Sequence, residues 1–462
     1  MAVPLAYGLA TGSDQPWSLG TSLIITALCG GLLFTLSPRP SRELAQREGL
    51  LLVVSIWLAV FLFGSLPFYF SPHFSSFTDA FFEAASGFTT TGATILNNVE
   101  VLPDSLQLWR CFSHWLGGMG IVLLGIAILP LVGHGGMQLY RAEFSGAKSE
   151  KLKPRITETA LSLWKLYMAF TAAQFLALRW AGMNSFEAAC HTFSTLGTGG
   201  FSTRTASIAG FESPLIEYII IVFMILAGIS FVQHYRLWVE RAPRGFFSDV
   251  EIRYFLLLIL LTSVVFAAIL VGYSGYAPEL AIRRALFQVS SIITTTGFVT
   301  DNFELWHPFS QLMLLALMFT GGCTGSTAGG MKVSRILLLA RVVDREFKRM
   351  VERHGVFRVR LGDDVIPEST IQSLLNLVYL AFVVNFVSCM ALAAMGVDVF
   401  TSIAAVAASM FNIGPGLGSV GPLENYAHLP ALAKWVLAFC MIAGRLEFYT
   451  VLVIFTPAFW RK

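Results

Sequence analysis

Apolar stretches of about 20 residues, the length of a membrane-crossing helix, recur near residues 17–36, 48–70, 106–133, 160–182, 214–233, 254–273, 308–340, 370–396 and 431–458. The pattern predicts about nine crossings. Between consecutive members of the last eight, two kinds of connection alternate: a basic one, and one holding a shorter apolar segment that ends in threonine and glycine. The basic connections are "SPRPSRELAQRE" (37–48), "YRAEFSGAKSEKLKPRIT" (140–157), "HYRLWVERAPRGFFSDVEIR" (234–253) and "RVVDREFKRMVERHGVFRVRL" (341–361). The positive-inside bias assigns them to the cytoplasm. In the last, Arg341, Arg345, Lys348, Arg349, Arg353, Arg358 and Arg360 outnumber Asp344, Glu346 and Glu352. That excess suits either orientation alone or the docking of a cytoplasmic partner.

The other connections align on one glycine each: "TDAFFEAASGFTTTGAT" with Gly92, "FEAACHTFSTLGTGGFST" with Gly200, "RALFQVSSIITTTGFVT" with Gly297 and "FTSIAAVAASMFNIGPG" with Gly414. Their spacings of 108, 97 and 117 residues mark an internal fourfold repeat. Each segment is too short to span and suits a half-helix that enters the membrane and returns, with Asp79, Asn184 and Ser185 where such helices begin. Lipid does not tolerate the unpaired carbonyls of a returning backbone, whereas a water- or ion-filled cavity does. The four segments are therefore expected to meet. Glycine lets successive carbonyls turn toward one axis, and Thr90, Thr91, Thr295, Thr296 and Asn412 keep the wall small and polar. A ring of oxygens replaces the hydration shell of a cation, and half-helix C-termini each add roughly half a negative charge. Beyond the glycines, Glu100, Asp104, Glu212, Asp301, Glu304 and Glu424 against Arg204 read either as solvated loop charges or as a field that concentrates cations.

Composition agrees with the pattern: of 462 residues 55% are hydrophobic and 13% charged, and the mean hydropathy is +0.68. This is the profile of an all-α polytopic membrane protein. A net charge of +3 is too small to imply nucleic acid. The start has no basic n-region before Trp17, so no cleaved signal peptide is expected. Six scattered cysteines form no C-x-x-C pair, which argues against a zinc site or a disulfide framework.

Two features interrupt the apolar pattern. "TGGCTGSTAGGMK" (320–332) breaks the stretch 308–340 with Gly321, Gly322, Gly325, Gly329 and Gly330. Each glycine costs a helix about 1 kcal/mol relative to alanine, so Gly321, Gly322, Cys323, Thr324, Gly325, Ser326, Thr327, Gly329, Gly330 and Lys332 are expected to form an irregular loop lining a cavity. The alternative is a kinked helix packed through small residues. A phosphate-binding loop is excluded, because Met331 separates Gly330 from Lys332 and Val333 replaces the required hydroxyl. Arg445 is the second interruption, near the middle of the last apolar stretch. A charge there costs at least about 2.5–3.5 kcal/mol, so it is expected to face the pathway or to pair with carbonyls of the glycine loop. Glu447, two residues on, does not share its helix face. An enzyme with His114, His191 or Ser326 as its chemistry finds little support: there is no H-E-x-x-H, Ser326 follows Gly325 with no evident base, and His191 falls in the second pore segment, where a packed, hydrogen-bonded histidine is expected.

These strings resemble the Trk/Ktr/HKT superfamily of potassium transporters, in particular its bacterial TrkH branch. The resemblance runs from about residue 42 to 462, through the four glycine segments, "GGMQLYRAEFSG" (135–146), "GGCTGSTAGGMKVSRILLL" (321–339), "NIGPGLG" (412–418) and "GRLEFYTVLVIFTPAFW" (444–460). It implies four membrane-pore-membrane units around one potassium pathway in the bacterial cytoplasmic (inner) membrane. It further implies a homodimer with a cytoplasmic nucleotide-binding regulatory subunit of the TrkA type, and potassium as the ion held, without a covalent cofactor. Carried over residue by residue, the potassium filter comprises Thr90, Thr91, Gly92, Thr198, Gly199, Gly200, Thr295, Thr296, Gly297, Asn412, Ile413 and Gly414. The loop 321–332 becomes a gate below it, with Arg445 a charge in the pathway. Sodium-conducting members often carry serine at the first filter position, so Gly92 points to potassium. The expected divisions are 1–47 for one N-terminal helix and loop, then repeats at 48–140, 141–236, 237–345 and 346–462. Members usually have two helices ahead of the first repeat, and this chain shows room for one, as though the leading helix were lost or the start truncated.

Overall fold

The computed structural model describes residues 1–12, 16–37, 46–128, 156–362 and 364–461. The motif at 135–146 and most of the basic connections at 37–48 and 140–157 lie outside the described residues. Two helices precede the first repeat, α1 (Ala2–Thr11) and α2 (Pro16–Leu36), where the pattern gave one. At ten residues α1 is too short to register as a crossing, and it stops at Gly12 in the left-handed conformation (φ 65°).

The first repeat is α3 (Gln46–Tyr69), α4 (Phe77–Phe88) and α5 (Asp104–Ile128). The second is α6 (Ile156–Trp180), α7 (Ser185–Leu196) and the pair α8 (Pro214–Gly228) and α9 (Phe231–Trp238), followed by a short α10 (Pro243–Ser248). In the third, α11 (Val250–Ser274) and α12 (Pro278–Ile293) precede α13 (Pro308–Met318) and α14 (Val333–Val351), which leads to a two-residue hairpin, β1 (Arg360–Leu361) and β2 (Asp364–Val365). The fourth is α15 (Glu368–Ala394), α16 (Val399–Met410), then α17 (Ala431–Arg445) and α18 (Phe448–Leu452), with α19 (Pro457–Trp460) at the end.

Length and composition separate outer from inner helices. Among the described residues, five helices are long and apolar enough to cross a membrane, or up to seven when each bent pair counts as one span. The remaining expected crossings are α5, which ends where the described residues stop, and the stretch 308–340, which is divided by residues 319–332. The spans expose rows of leucine, valine and phenylalanine, such as Leu257, Leu260, Leu261 and Val264 on α11, as lipid-facing helices must. The short helices α4, α7, α12 and α16 are instead largely buried: every residue of α4 from Asp79 to Phe88 is enclosed. Side chains cap their N-termini where the sequence offers them, Ser76 for α4, Asn184 for α7 and Asp398 for α16. Asp79 is not a cap; it lies in the first turn of α4.

The second spans of repeats two and four are broken. α8 and α9 meet at 101°, and α17 and α18 at 118° across Leu446 and Glu447. Both breaks border residues 319–332, since the Gly228 carbonyl accepts the Cys323 N–H (2.8 Å) and Arg445 reaches the Thr327 carbonyl (3.0 Å).

Candidate cation pathway

All four short helices end alike. The N–H of Thr91 donates to the Ser86 carbonyl, Gly199 to Ser194, Thr296 to Ser291 and Ile413 to Ala408, each at 2.8 Å. This six-to-one bond closes a Schellman-type terminus, which requires a left-handed residue just before it. That residue is Thr90 (φ 56°), Thr198 (53°), Thr295 (54°) and Asn412 (57°) in the four repeats. Two positions on, Gly92 (79°), Gly200 (80°), Gly297 (78°) and Gly414 (97°) are left-handed again. Alternating hand along four residues turns successive carbonyls to one side, and the same alternation recurs in every repeat.

The loops close on one another in cyclic order. A Cβ on Gly92 would lie closer than 3.0 Å to the Gly199 carbonyl oxygen, one on Gly200 to that of Thr296, one on Gly297 to that of Ile413, and one on Gly414 to that of Thr91. Each glycine thus abuts the oxygen of the residue before the next repeat's glycine, and the fourth returns to the first. Only glycine fits at these positions, for backbone angle and for space. The twelve residues expected from the sequence, Thr90 to Gly92, Thr198 to Gly200, Thr295 to Gly297 and Asn412 to Gly414, come together here.

A non-glycine residue in the left-handed region costs about 1–2 kcal/mol, and three of the four use their side chains on the inner side of the ring. Thr198 Oγ1 donates to the Thr327 carbonyl (2.9 Å), and Thr295 Oγ1 accepts the Gly329 N–H (2.6 Å). Asn412 Nδ2 donates to Thr91 Oγ1 (2.9 Å) and to the Met441 carbonyl (3.1 Å). The glycine-rich segment 320–332 therefore hangs directly from the ring. It is non-helical, as expected from its glycines, and pinched at its neck by the Gly321 N–H donating to the Met331 carbonyl (2.7 Å). Lys332 Nζ bonds within the segment, to the Ala328 carbonyl (2.6 Å). Ser326 Oγ is buried without a partner among the described residues. Arg445 Nη1 donates to Thr327 and Nη2 to the Gly117 carbonyl (3.2 Å), bridging the segment to α5. Glu447 pairs with Arg335 at the head of α14 (2.7 Å), not with Arg445.

Sequence reading missed the anchor below. Glu251 Oε1 accepts the Thr324 N–H (2.8 Å), the Thr324 hydroxyl (3.1 Å) and the Ser334 N–H (3.1 Å). In sequence it is one acid among the charges of a basic connection, with nothing to mark it.

Also unforeseen is a belt of ion pairs behind the ring. Glu83 on α4 meets Arg110 on α5 (2.7 Å), and Arg110 continues to the Ser202 carbonyl (3.4 Å) with its guanidinium over the Phe201 ring. Glu217 on α8 takes Arg283 on α12 (2.6 Å), and Lys434 on α17 takes Asp79 on α4 (2.6 Å). Repeats one and two, two and three, and four and one are thereby joined by buried charge. Between three and four, a Cβ on Gly421 would strike the Glu304 carboxylate. Burial, with Glu424 nearby, pushes the Glu304 carboxyl above its ordinary range.

Comparison with known proteins decides the family. The family model described as TrkH, cation transport protein, matches residues 19–462. The chain belongs to the TrkH family of cation transport proteins. It is 43% identical over 445 residues to the Trk system potassium uptake protein TrkH of Salmonella typhimurium, covering 96% of this chain and 92% of that one. With the Escherichia coli K12 protein of the same name it shares 42% over 466 residues, covering 100% and 96%. The crystal structure of the potassium transporter TrkH from Vibrio parahaemolyticus superimposes with a TM-score of 0.91 at 36% identity, covering 100% of this chain and 96% of that one.

As a TrkH-family protein the chain is a multi-pass membrane transporter and not an enzyme. The residues weighed for catalysis have structural places: His191 bonds to the Glu187 carbonyl (2.7 Å) and Ser202 Oγ (2.9 Å), and His114 stacks on Phe201 behind Gly199. Among the outer charges, Arg204 pairs with Glu187 (3.0 Å), and Asp301 accepts from Tyr276 and Trp306. These two serve the loops' own packing.

Proposed function

We propose that this TrkH-family chain carries potassium into the cell across the bacterial cytoplasmic membrane, through a four-loop carbonyl filter closed from below by residues 320–332. The supporting observation is the cyclic contact of Gly92, Gly200, Gly297 and Gly414 with the carbonyls of Gly199, Thr296, Ile413 and Thr91. Such a ring replaces a hydration shell, and the helix ends behind it favour positive charge. A membrane potential contributes about 2.3 kcal/mol per charge per 100 mV, enough to drive inward movement. Arg445 and the segment it holds sit on the pathway's inner side, so releasing them opens it. Repeats at 48–140, 141–236, 237–345 and 346–462 each contribute one loop. The relatives' names place them in a Trk system; a homodimer regulated by a TrkA-type cytoplasmic nucleotide-binding subunit fits that name. Nucleotide control belongs to that partner, since "GGMKV" is no phosphate loop.

Rubidium-tracer uptake into proteoliposomes tests this reading. Saturable uptake that potassium blocks far better than sodium is expected, either with the chain alone or after the partner and nucleotide are added. Failure under both conditions, or equal block by the two ions, overturns it.

A further inference from the structure

A cavity of about 450 Å³ opens where the first turns of α11, the second half of α14 and residues 357–362 meet. Six cations line it, with Asp344 the one acid among the lining residues. Two of the cations are already neutralised: Arg345 by Glu346 and Glu368, and Lys348 by Asp344. Arg253, Arg341, Arg358 and Arg360 have no carboxylate partner among the described residues, and all four are exposed. Arginines concentrated without counter-charge repel one another, which favours capture of an anion that presents several oxygens.

The helices that line the cavity indicate the source of that anion. Arg253 and Tyr254 stand at the start of the span Val250–Ser274, and above them Leu257, Leu261 and Val264 continue the exposed face. On the other wall α14 exposes Val343, Phe347, Met350 and Val351 beside its cations, the arrangement of a helix lying at a membrane surface. An exposed apolar surface suited to acyl chains therefore adjoins the cations on both walls. We propose that this cavity binds the phosphate of an anionic phospholipid of the cytoplasmic leaflet, with Arg341, Arg358 and Arg360 as its principal ligands. Both helices of the site hold Thr324 of the glycine-rich segment, α11 through the Glu251 carboxylate (2.8 Å) and α14 through the Ser334 hydroxyl (2.8 Å). Occupancy ties them together and steadies that segment, a consequence that rests on the proposed pathway.

The test is native mass spectrometry of the purified, delipidated full chain, titrated with phosphatidylglycerol or with phosphatidylcholine of the same acyl chains. Wild type is expected to prefer phosphatidylglycerol at least tenfold. Each removed cation should cost about fivefold, so Arg341→Gln with Arg358→Gln and Arg360→Gln abolishes the preference, whereas the corresponding triple lysine variant retains most of it. Arg349→Gln, which removes a cation outside the cavity, should leave it unchanged. Equal binding of both lipids, or an unaffected triple glutamine variant, overturns the site. Displacement by millimolar inorganic phosphate makes it a soluble-phosphate site instead. Unchanged lipid binding with lost co-purification of the cytoplasmic partner reassigns the arginines to protein docking. The binding assay is independent of transport, so its failure leaves the pathway untouched; unchanged basal rubidium flux in a lipid-deficient variant overturns only the coupling to the segment.

Discussion

Gly92 and Gly275 both sit in the left-handed region, at φ 79° and 68°, yet a Cβ on Gly92 meets the Gly199 carbonyl whereas one on Gly275 meets nothing within 4 Å. The contrast separates backbone strain from damage to the ring. Gly275→Ala should cost about 1 kcal/mol of stability and leave ion preference unchanged. Gly92→Ser adds a displaced carbonyl to the same strain and should lower potassium-over-sodium preference at least tenfold, read as sodium competition against rubidium uptake. Arg445 tests the inner side at the same scale. Its guanidinium holds two carbonyls on different elements, Thr327 and Gly117, with one planar fork. Arg445→Ala should raise basal rubidium flux severalfold. Arg445→Lys, a point donor that does not span both, should give an intermediate rise, and wild-type flux in both variants would place the gate elsewhere. That a charge in this apolar stretch needs a partner was legible in the sequence. Pairing with a carbonyl of the glycine-rich segment was one of the two expectations, and Thr327 provides it; the second carbonyl, Gly117 on α5, had no signal in the sequence.

At the level of elements, the segment 320–332 is positioned by what surrounds it more than by its own bonds. Glycine content shows that it is not helix, but its place comes from Thr198 and Thr295 above and Glu251 below. Glu251 Oε1 accepts from the Thr324 N–H, the Thr324 hydroxyl and the Ser334 N–H at a single point. Glu251→Ala, which strands those donors, should therefore loosen the segment and raise basal flux at unchanged ion preference. Thr295→Val, which strands the buried Gly329 N–H, should raise flux and also disturb preference, because Thr295 belongs to the ring. If the two variants show the same profile, the separation between anchor and ring is wrong. The bend between α17 and α18 follows the same logic: the apolar stretch 431–458 reads as one helix, and Glu447, drawn aside to Arg335, marks where it breaks.

Across the whole molecule, buried charges reach from one repeat to the next, Arg283 to Glu217, Lys434 to Asp79, and Arg110, paired with Glu83 in its own repeat, to the Ser202 carbonyl. Removing one partner of a buried pair strands a charge at a cost of about 3–5 kcal/mol, while replacing both with apolar groups is often neutral. Arg110→Met should accordingly lower the thermal midpoint in detergent substantially, and Glu83→Leu with Arg110→Met should recover much of the loss. Recovery without restored ion preference would show that Arg110 also positions the loop through the Ser202 carbonyl (3.4 Å). The sequence by itself determined the lipid-dissolved class, the fourfold repeat, the glycine at each ring position and the irregularity of 320–332. Each of these is a local property: segment length, hydropathy, or the angles one residue type permits. Tertiary structure decided the cyclic order of the loops, the hanging of the segment from Thr198 and Thr295, and the choice of Glu251, Arg110 and Asp79 among many similar charges. Those choices depend on distances between residues tens to hundreds of positions apart, and such distances exist only once the repeats have closed around one axis.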